Sequence, residues 1–224
     1  MSKSSAIVQI EAYVKRAAAG EVAHDLKHAD RVRHWALQIA RGEGYNDLEA
    51  VEAAALLHDI GLPSSSERSL HGQVGAEIAE RFLRQCDLFA GHQLRGIVNA
   101  ILEHNFRREA SAELSIILRD ADMMDMFGAI GIMRAFTSKA TRPEYDPGKV
   151  KGDTWGMSIW QFEQRFDLGR DVGVTIVDQI NFQISCYDNL RTKTSKALAK
   201  PLVDYMKSYV KQLESEIHAG RATQ

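Results

Sequence analysis

Only two cysteines occur in the 224 residues, Cys86 and Cys186, and neither lies in a C-x-x-C pair. That excludes a cysteine zinc knuckle and reads as a reduced pair rather than a disulfide framework. Prolines are scarce, four against 16 glycines in an alanine-rich chain, which argues against a turn-rich sandwich and toward helices. Positive charge is not in excess. Lys and Arg total 28 and Asp and Glu total 30, a net charge of −2, too little to hold a nucleic acid duplex through bulk charge. No uncharged apolar run approaches the roughly 18 residues that a membrane helix needs. The start, Met-Ser-Lys-Ser-Ser-Ala-Ile-Val-Gln-Ile-Glu, meets Glu11 before an apolar stretch of leader length develops. The expectation is a cytoplasmic protein with no membrane partner. An apolar share of 45% beside 26% charged residues excludes wholesale disorder, and the length suits one domain of ordinary to large size or two very small ones.

What the chain does have is helical periodicity almost throughout. Ile7, Ile10 and Val14 predict a first amphipathic helix. Val32, Trp35 and Ile39 predict a second, ending near Gly42 or Gly44. Asp47 suits the N-cap of a third that carries Val51, Ala55 and His58. Residues 61–66, Gly-Leu-Pro-Ser-Ser-Ser, read as a loop. Val74, Ile78 and Phe82 mark another helix, and Leu94, Ile97 and Ile101 the next. From about Ser115 to Ala135 the chain is apolar on more than one face, as in a deeply buried helix. Residues 137–153 hold Pro143, Pro147, Gly148 and Gly152 amid charges and read as a long loop or lid. Leu202, Met206, Tyr209, Leu213 and Ile217 then keep the helical step until Gly220, after which the end would fray. The segment Val172 to Val177 is the single weak strand candidate. The fold class expected is all-α: a helical core over residues 1–136, the loop 137–153, and a C-terminal helical extension, 154–224, packed on the core. That extension would cover a site or pair the chain into a homodimer.

Four of the eight histidines sit where chemistry would need them. His28 shares the inward face of Val32, Trp35 and Ile39. His58 continues Val51 and Ala55, His71 leads Val74 and Ile78, and His104 trails Leu94, Ile97 and Ile101. Asp59 follows His58, about 100° further around a continuous helix. Asp120 and Asp122 lie on the apolar stretch near Ser115, about 200° apart, so they do not readily serve one ion. Burying carboxylates is costly unless a cation or hydrogen bonds offset it. Imidazoles and carboxylates without thiolate suit a divalent ion such as Mn, Fe, Co, Ni, Zn or Mg. The alternative for each residue is a hydrogen-bonded core group. Asp25 could take a hydrogen bond from a ligand histidine or cap a helix.

Three elements in order, His28-Ala29-Asp30-Arg31-Val32, Leu56-Leu57-His58-Asp59-Ile60-Gly61 and Asp120-Ala121-Asp122, resemble the H…HD…D signature of the HD-domain metal-dependent phosphohydrolase superfamily. His24-Asp25-Leu26-Lys27-His28 and Gly128-Ala129-Ile130-Gly131 resemble its small bacterial members. The likeness covers roughly Val22 to Phe136. It implies an all-helical fold with His28, His58, Asp59 and a final Asp as metal ligands, Asp122 first and Asp120 as the fallback. His71, in Leu70-His71-Gly72-Gln73-Val74-Gly75-Ala76, and His104, after Ile101-Leu102-Glu103, resemble the extra histidines of two-metal members. They would hold a second ion or touch substrate phosphate, so one or two metals per chain are expected. Leu62 stands where cyclic-dinucleotide phosphodiesterases of the group carry Lys, and no Gly-Tyr-Pro occurs, which disfavours that activity.

The function expected from the resemblance is hydrolysis of a nucleotide or other small phosphoester by a metal-activated water. Asp59 would also orient that water. Arg31 would neutralise charge on phosphate or form an ion pair with a buried Asp, and Lys27 would bind substrate or stand in solvent. Two alternatives keep the same residues. One is a di-iron oxygenase of this superfamily. The other is a non-catalytic metal-containing nucleotide-binding module, with Met123, Met124, Met126 and Met133 lining its pocket. Trp155 and Trp160 would stack a base or pack in the core.

Overall fold

The computed structural model describes residues 4–17, 24–65, 67–89, 91–105 and 109–219. The chain divides into two compact units. The first holds residues 1–125 together with 191–195, the second 126–190 and 196–224. All regular structure among the described residues is helical, apart from an isolated pairing of Asp146 with Lys149. No described helix is long and apolar enough to cross a membrane. Gly220, expected as the last helix stop, lies outside the described residues.

The first unit contains α1 (Ser5–Ala17), α2 (Leu26–Glu43), α3 (Leu48–Leu57), α4 (His71–Gln85), α5 (Gly91–Glu103) and α6 (Glu113–Met124). Helix α1 buries Ile7, Ile10 and Val14, one face at steps of three and four. Burial of such side chains stabilises by about 1.5–3 kcal/mol each. Asp25 caps α2 by accepting from the His28 backbone N–H, and Gly44 ends it at φ +79°, a left-handed C-cap. Asp47 caps α3 through the Ala50 N–H. Helix α2 packs on α3 and α6, α5 packs on α3, α4 and α6, and α1 packs on α3. The core therefore lies between α2, α3, α5 and α6, and the four inward histidines enter it from α2, from the end of α3, and from α4 and α5.

Helix α4 departs from the apolar stripe that marks it. Val74, Ile78 and Phe82 are only half-buried, and the buried face is Gly72, Gly75, Ala76, Ala79 and Leu83. Small residues win because backbone comes close. A Cβ on Gly61 would fall 2.2 Å from the His71 carbonyl oxygen and 2.4 Å from the Gly75 nitrogen. This approach seats His71 against the turn that follows His58.

The apolar stretch from Ser115 to Ala135 is not one helix. It breaks after Met124, and α7 (Gly128–Ser138) restarts beyond Phe127, whose backbone is extended, and Gly128, at φ +69°. The second unit continues with α8 (Ile159–Asp167), α9 (Ile176–Ser185) and most of α10 (Lys193–Ala219). Helices α7 and α8 both pack on α9. The weak strand candidate at 172–177 instead forms an N-terminal cap. Thr175 and Asp178 make a reciprocal capping box at the start of α9. Asp178 also accepts from the Thr154 N–H and hydroxyl, tying the segment before α8 to α9.

Candidate metal centre

His58 and Asp59 follow directly on α3, which ends at Leu57. His58 keeps a helical backbone, yet the ends of the two side chains meet, with His58 Nε2 3.2 Å from Asp59 Oδ2. His28 joins them from α2. Its Nε2 lies 3.2 Å from His58 Nε2, 3.4 Å from Asp59 Oδ2 and 3.4 Å from Asp122 Oδ1. On the other side of Asp59, Oδ1 lies 3.7 Å from His71 Nε2 and 3.6 Å from His104 Nε2, which are 2.9 Å from each other. The two oxygens of one carboxylate thus face two histidine pairs. His28, His58, His71 and His104 are all buried, while the Asp59 side chain keeps 11% of its surface exposed.

Hydrogen bonds set the tautomers of three of these rings. His58 Nδ1–H donates to the Ala55 carbonyl at 2.8 Å, His104 Nδ1–H to the Ile101 carbonyl at 2.6 Å, and His28 Nδ1–H to Asp125 Oδ2 at 2.7 Å. A neutral imidazole that donates through Nδ1 has a bare Nε2. Three lone pairs therefore point at two carboxylates that are acceptors as well. Such a convergence of acceptors calls for a positive partner, which a proton on a ring or a metal ion supplies. The donor set, imidazole and carboxylate without thiolate, suits a borderline divalent ion. Three overlapping trios have ligand atoms within 4.8 Å of one another: His28, His58 and Asp122; Asp59, His71 and His104; and His24, His28 and Asp59.

With no ion present, the carboxylates favour a proton on the same rings. Burial alone would lower the His28 pKa, but bonds to Asp122, Asp125 and Asp59 hold it well above the ordinary histidine value. His104 is raised in the same way, against burial, by Asp59. Burial would raise Asp59, yet the His58 charge and bonds from His104, His24 and His28 pull it well below the usual carboxylate range. Asp122 is likewise held low, against burial, by His28 and His58. The pocket favours negative carboxylates beside a positive centre.

The remaining expected residues have other settings. Asp120 is fully buried but turned toward 191–195. It accepts from the backbone N–H groups of Arg191 and Thr192 and from the hydroxyls of Thr192 and Ser195. Asp25 caps α2 and meets Lys27, whose side chain is 81% exposed. Arg31 forks onto Asp125 at 2.6 and 2.9 Å. In the second unit, Trp155 lies under the Lys151 ammonium, 5.9 Å away, while Trp160 and Met133 are exposed. Met123 and Met124 are buried in α6.

Asp125 is missing from the sequence reading, and His24 enters it only through the likeness of His24-Asp25-Leu26-Lys27-His28. His24 Nδ1 lies 2.6 Å from Asp59 Oδ2. Its spacing of four from His28 was the available signal. Asp125, buried and bonded to both His28 and Arg31, is three residues after Asp122, one further helical step on the same side. A cleft lined in part by Val14, Leu56, Ile60 and Pro63 adjoins His24 and Asp59.

Comparison with known proteins bears on the fold. Residues 25–126 match the model of the HD domain, a stretch that contains every residue of the cluster except His24. Protein YpgQ of Bacillus subtilis is 28% identical, over 87% of this chain and 84% of its own. Its structure in complex with ADP superimposes with a TM-score of 0.64 at 22% identity, covering 94% of each chain. An HD-superfamily hydrolase of Bacillus thuringiensis gives 0.67 at 22% identity over 95% of this chain and 97% of its own. A Lactobacillus plantarum protein gives 0.69 at 24% identity over 98% and 100%. At these identities the structural likenesses establish the fold.

Proposed function

This chain belongs to the HD-domain superfamily, and from that premise we propose that it is a metal-dependent phosphohydrolase that uses water to cleave a phosphoester bond of a nucleotide or another small phosphoester. The observation that carries the proposal is the convergence of the His28 and His58 Nε2 atoms, 3.2 Å apart, on Asp59 and Asp122. His28, His58, Asp59 and Asp122 would hold the ion. A divalent ion bound there supplies a water of lowered pKa and polarises a phosphoryl oxygen.

The chain's own residues do the rest. Backbone carbonyls of Ala55 and Ile101 fix the rings of His58 and His104, so these ligands need no reorganisation when substrate arrives. Asp59 Oδ2, shared with His24, would orient the attacking water. His71 and His104 stand across Asp59, placed to hold a second ion or to meet phosphate oxygens. Arg31 enters through its ion pair with Asp125 and stabilises the charge balance of the pocket. The ADP bound by YpgQ supports a nucleotide as substrate.

The test is a panel of nucleotides and phosphomonoesters assayed with Mn or Co. His58→Ala and Asp59→Ala abolish turnover while far-UV circular dichroism stays unchanged. Turnover retained in either variant defeats the assignment. The bridging position of Asp59 between two histidine pairs also supports a di-iron oxygenase. Two irons per chain after anaerobic purification, with dioxygen uptake and no phosphate release, would select that reading.

A further inference from the structure

The imidazole of His28 is gripped at both nitrogens by a single turn of α6. Asp122 Oδ1 stands 3.4 Å from Nε2, and Asp125 Oδ2, three residues on, accepts from Nδ1–H at 2.7 Å. His58 and His104 give their Nδ1–H groups to neutral carbonyls three residues back in their own segments. Among these three rings His28 alone gives its proton to an anion, and that anion comes from another helix, 97 residues away in sequence. A carboxylate partner makes the opposite nitrogen a stronger donor to a metal and fixes its aim.

Asp125 stands there against two costs. It is 1% exposed, and it occupies the C-cap of α6, the helix end where the macrodipole disfavours an anion. Arg31 offsets both. Its Nε and Nη2 fork onto the two Asp125 oxygens at 2.6 and 2.9 Å, and Arg31 sits one helical step after His28 on α2. Arg31, Asp125 and His28 form a closed link between α2 and the end of α6.

We propose that Asp125 is the positioning residue of the metal centre, fixing the tautomer and direction of His28, with Arg31 holding Asp125 in place. This rests on the reading of His28 as a metal ligand. In Asp125→Asn the side chain can still accept from Nδ1–H, but it loses its charge and half of its fork to Arg31.

The experiment titrates metal-stripped protein with Co(II), following the visible absorption of the bound ion, and records far-UV circular dichroism and thermal unfolding of the stripped chain. Asp125→Asn should weaken Co(II) binding about 10- to 100-fold and alter the absorption envelope, with the helical spectrum intact. Arg31→Gln, at a side chain one-third exposed, should lower affinity in the same direction and by less. It serves as the test if Asp125→Asn does not fold. Wild-type affinity and an unchanged Co(II) spectrum in the folded variant, while His58→Ala loses the metal, would overturn the positioning role and leave the metal centre standing. Absence of stoichiometric Co(II) binding by the wild type would overturn both.

Discussion

Asp120 and Asp122 sit two residues apart in one helix, and exchanging each for asparagine separates their roles. Asp120 is fully buried and accepts four kinds of donor from 191–195: the N–H groups of Arg191 and Thr192 and the hydroxyls of Thr192 and Ser195, at 2.6–3.1 Å. A hydrogen bond to a charged group contributes about 1.5–3 kcal/mol, and a buried donor left facing another donor costs a similar amount. All four donors reach Oδ2, and Oδ1 meets only the Arg191 N–H, so asparagine can keep its oxygen at Oδ2 and loses chiefly the charge, with its NH₂ turned toward Arg191. Asp120→Asn should therefore cost about 1.5–3 kcal/mol. In a chain of this length that corresponds to a fall in Tm of roughly 3–12 °C. The measurement is thermal unfolding of metal-stripped protein by circular dichroism, paired with a Co(II) titration at a temperature where the variant is folded. Asp120→Asn should bind Co(II) like the wild type, and Asp122→Asn should lose stoichiometric binding. If Asp120→Asn lost the metal and kept its Tm, the assignment of Asp120 to the 191–195 segment would be refuted.

Three further outcomes follow from the same geometry. Burial would raise the pKa of Asp178, but bonds from Thr154 and Thr175 hold it below the ordinary carboxylate value. A depressed carboxylate gives stability that is present above its unfolded pKa, near 4, and is lost as pH falls through the folded one. Unfolding of the wild type should thus grow easier below about pH 4, and Asp178→Asn should be weaker at neutral pH with a flatter acid profile in urea titrations. Gly61→Ala should displace His71, because the new Cβ meets backbone at 2.2–2.4 Å. A cost of about 1–3 kcal/mol or more is expected for such overpacking, read as a lower Tm together with weakened Co(II) binding. Saturating Mn(II), at about 100 times its Kd, should stabilise the wild type by about 2.7 kcal/mol and raise Tm by roughly 5–11 °C, reversed by a chelator. His58→Ala should show no such rise.

Much of the centre was legible before folding, for reasons that are local. The inward faces of α1 and α2 follow from apolar residues at steps of three and four, and His28, sharing the face of Val32 and Ile39, is buried with them. Asp47 capping α3 needs only the chain beside it. The site around Asp59 was harder. The helical step sets His58 and Asp59 about 100° apart, and it is the reach of the side chains that brings their ends to 3.2 Å. The single helix expected over 115–135 breaks beyond Met124, and Asp125, one helical step after Asp122, lies at that break beside the ring of His28.

Helical period, caps and the order of histidines and aspartates are properties of neighbouring residues, so the chain alone determined them. Which carboxylate meets which imidazole depends on how helices cross. Asp59 finds His24 across 35 residues, Asp125 finds Arg31 across 94, and Asp120 turns to Ser195 across 75. Those pairings are set by side-chain volumes and by close approaches such as Gly61 on α4, where the absence of a Cβ decides how near two backbones can come. No periodicity within one helix encodes that distance, and only the packed tertiary structure supplied it.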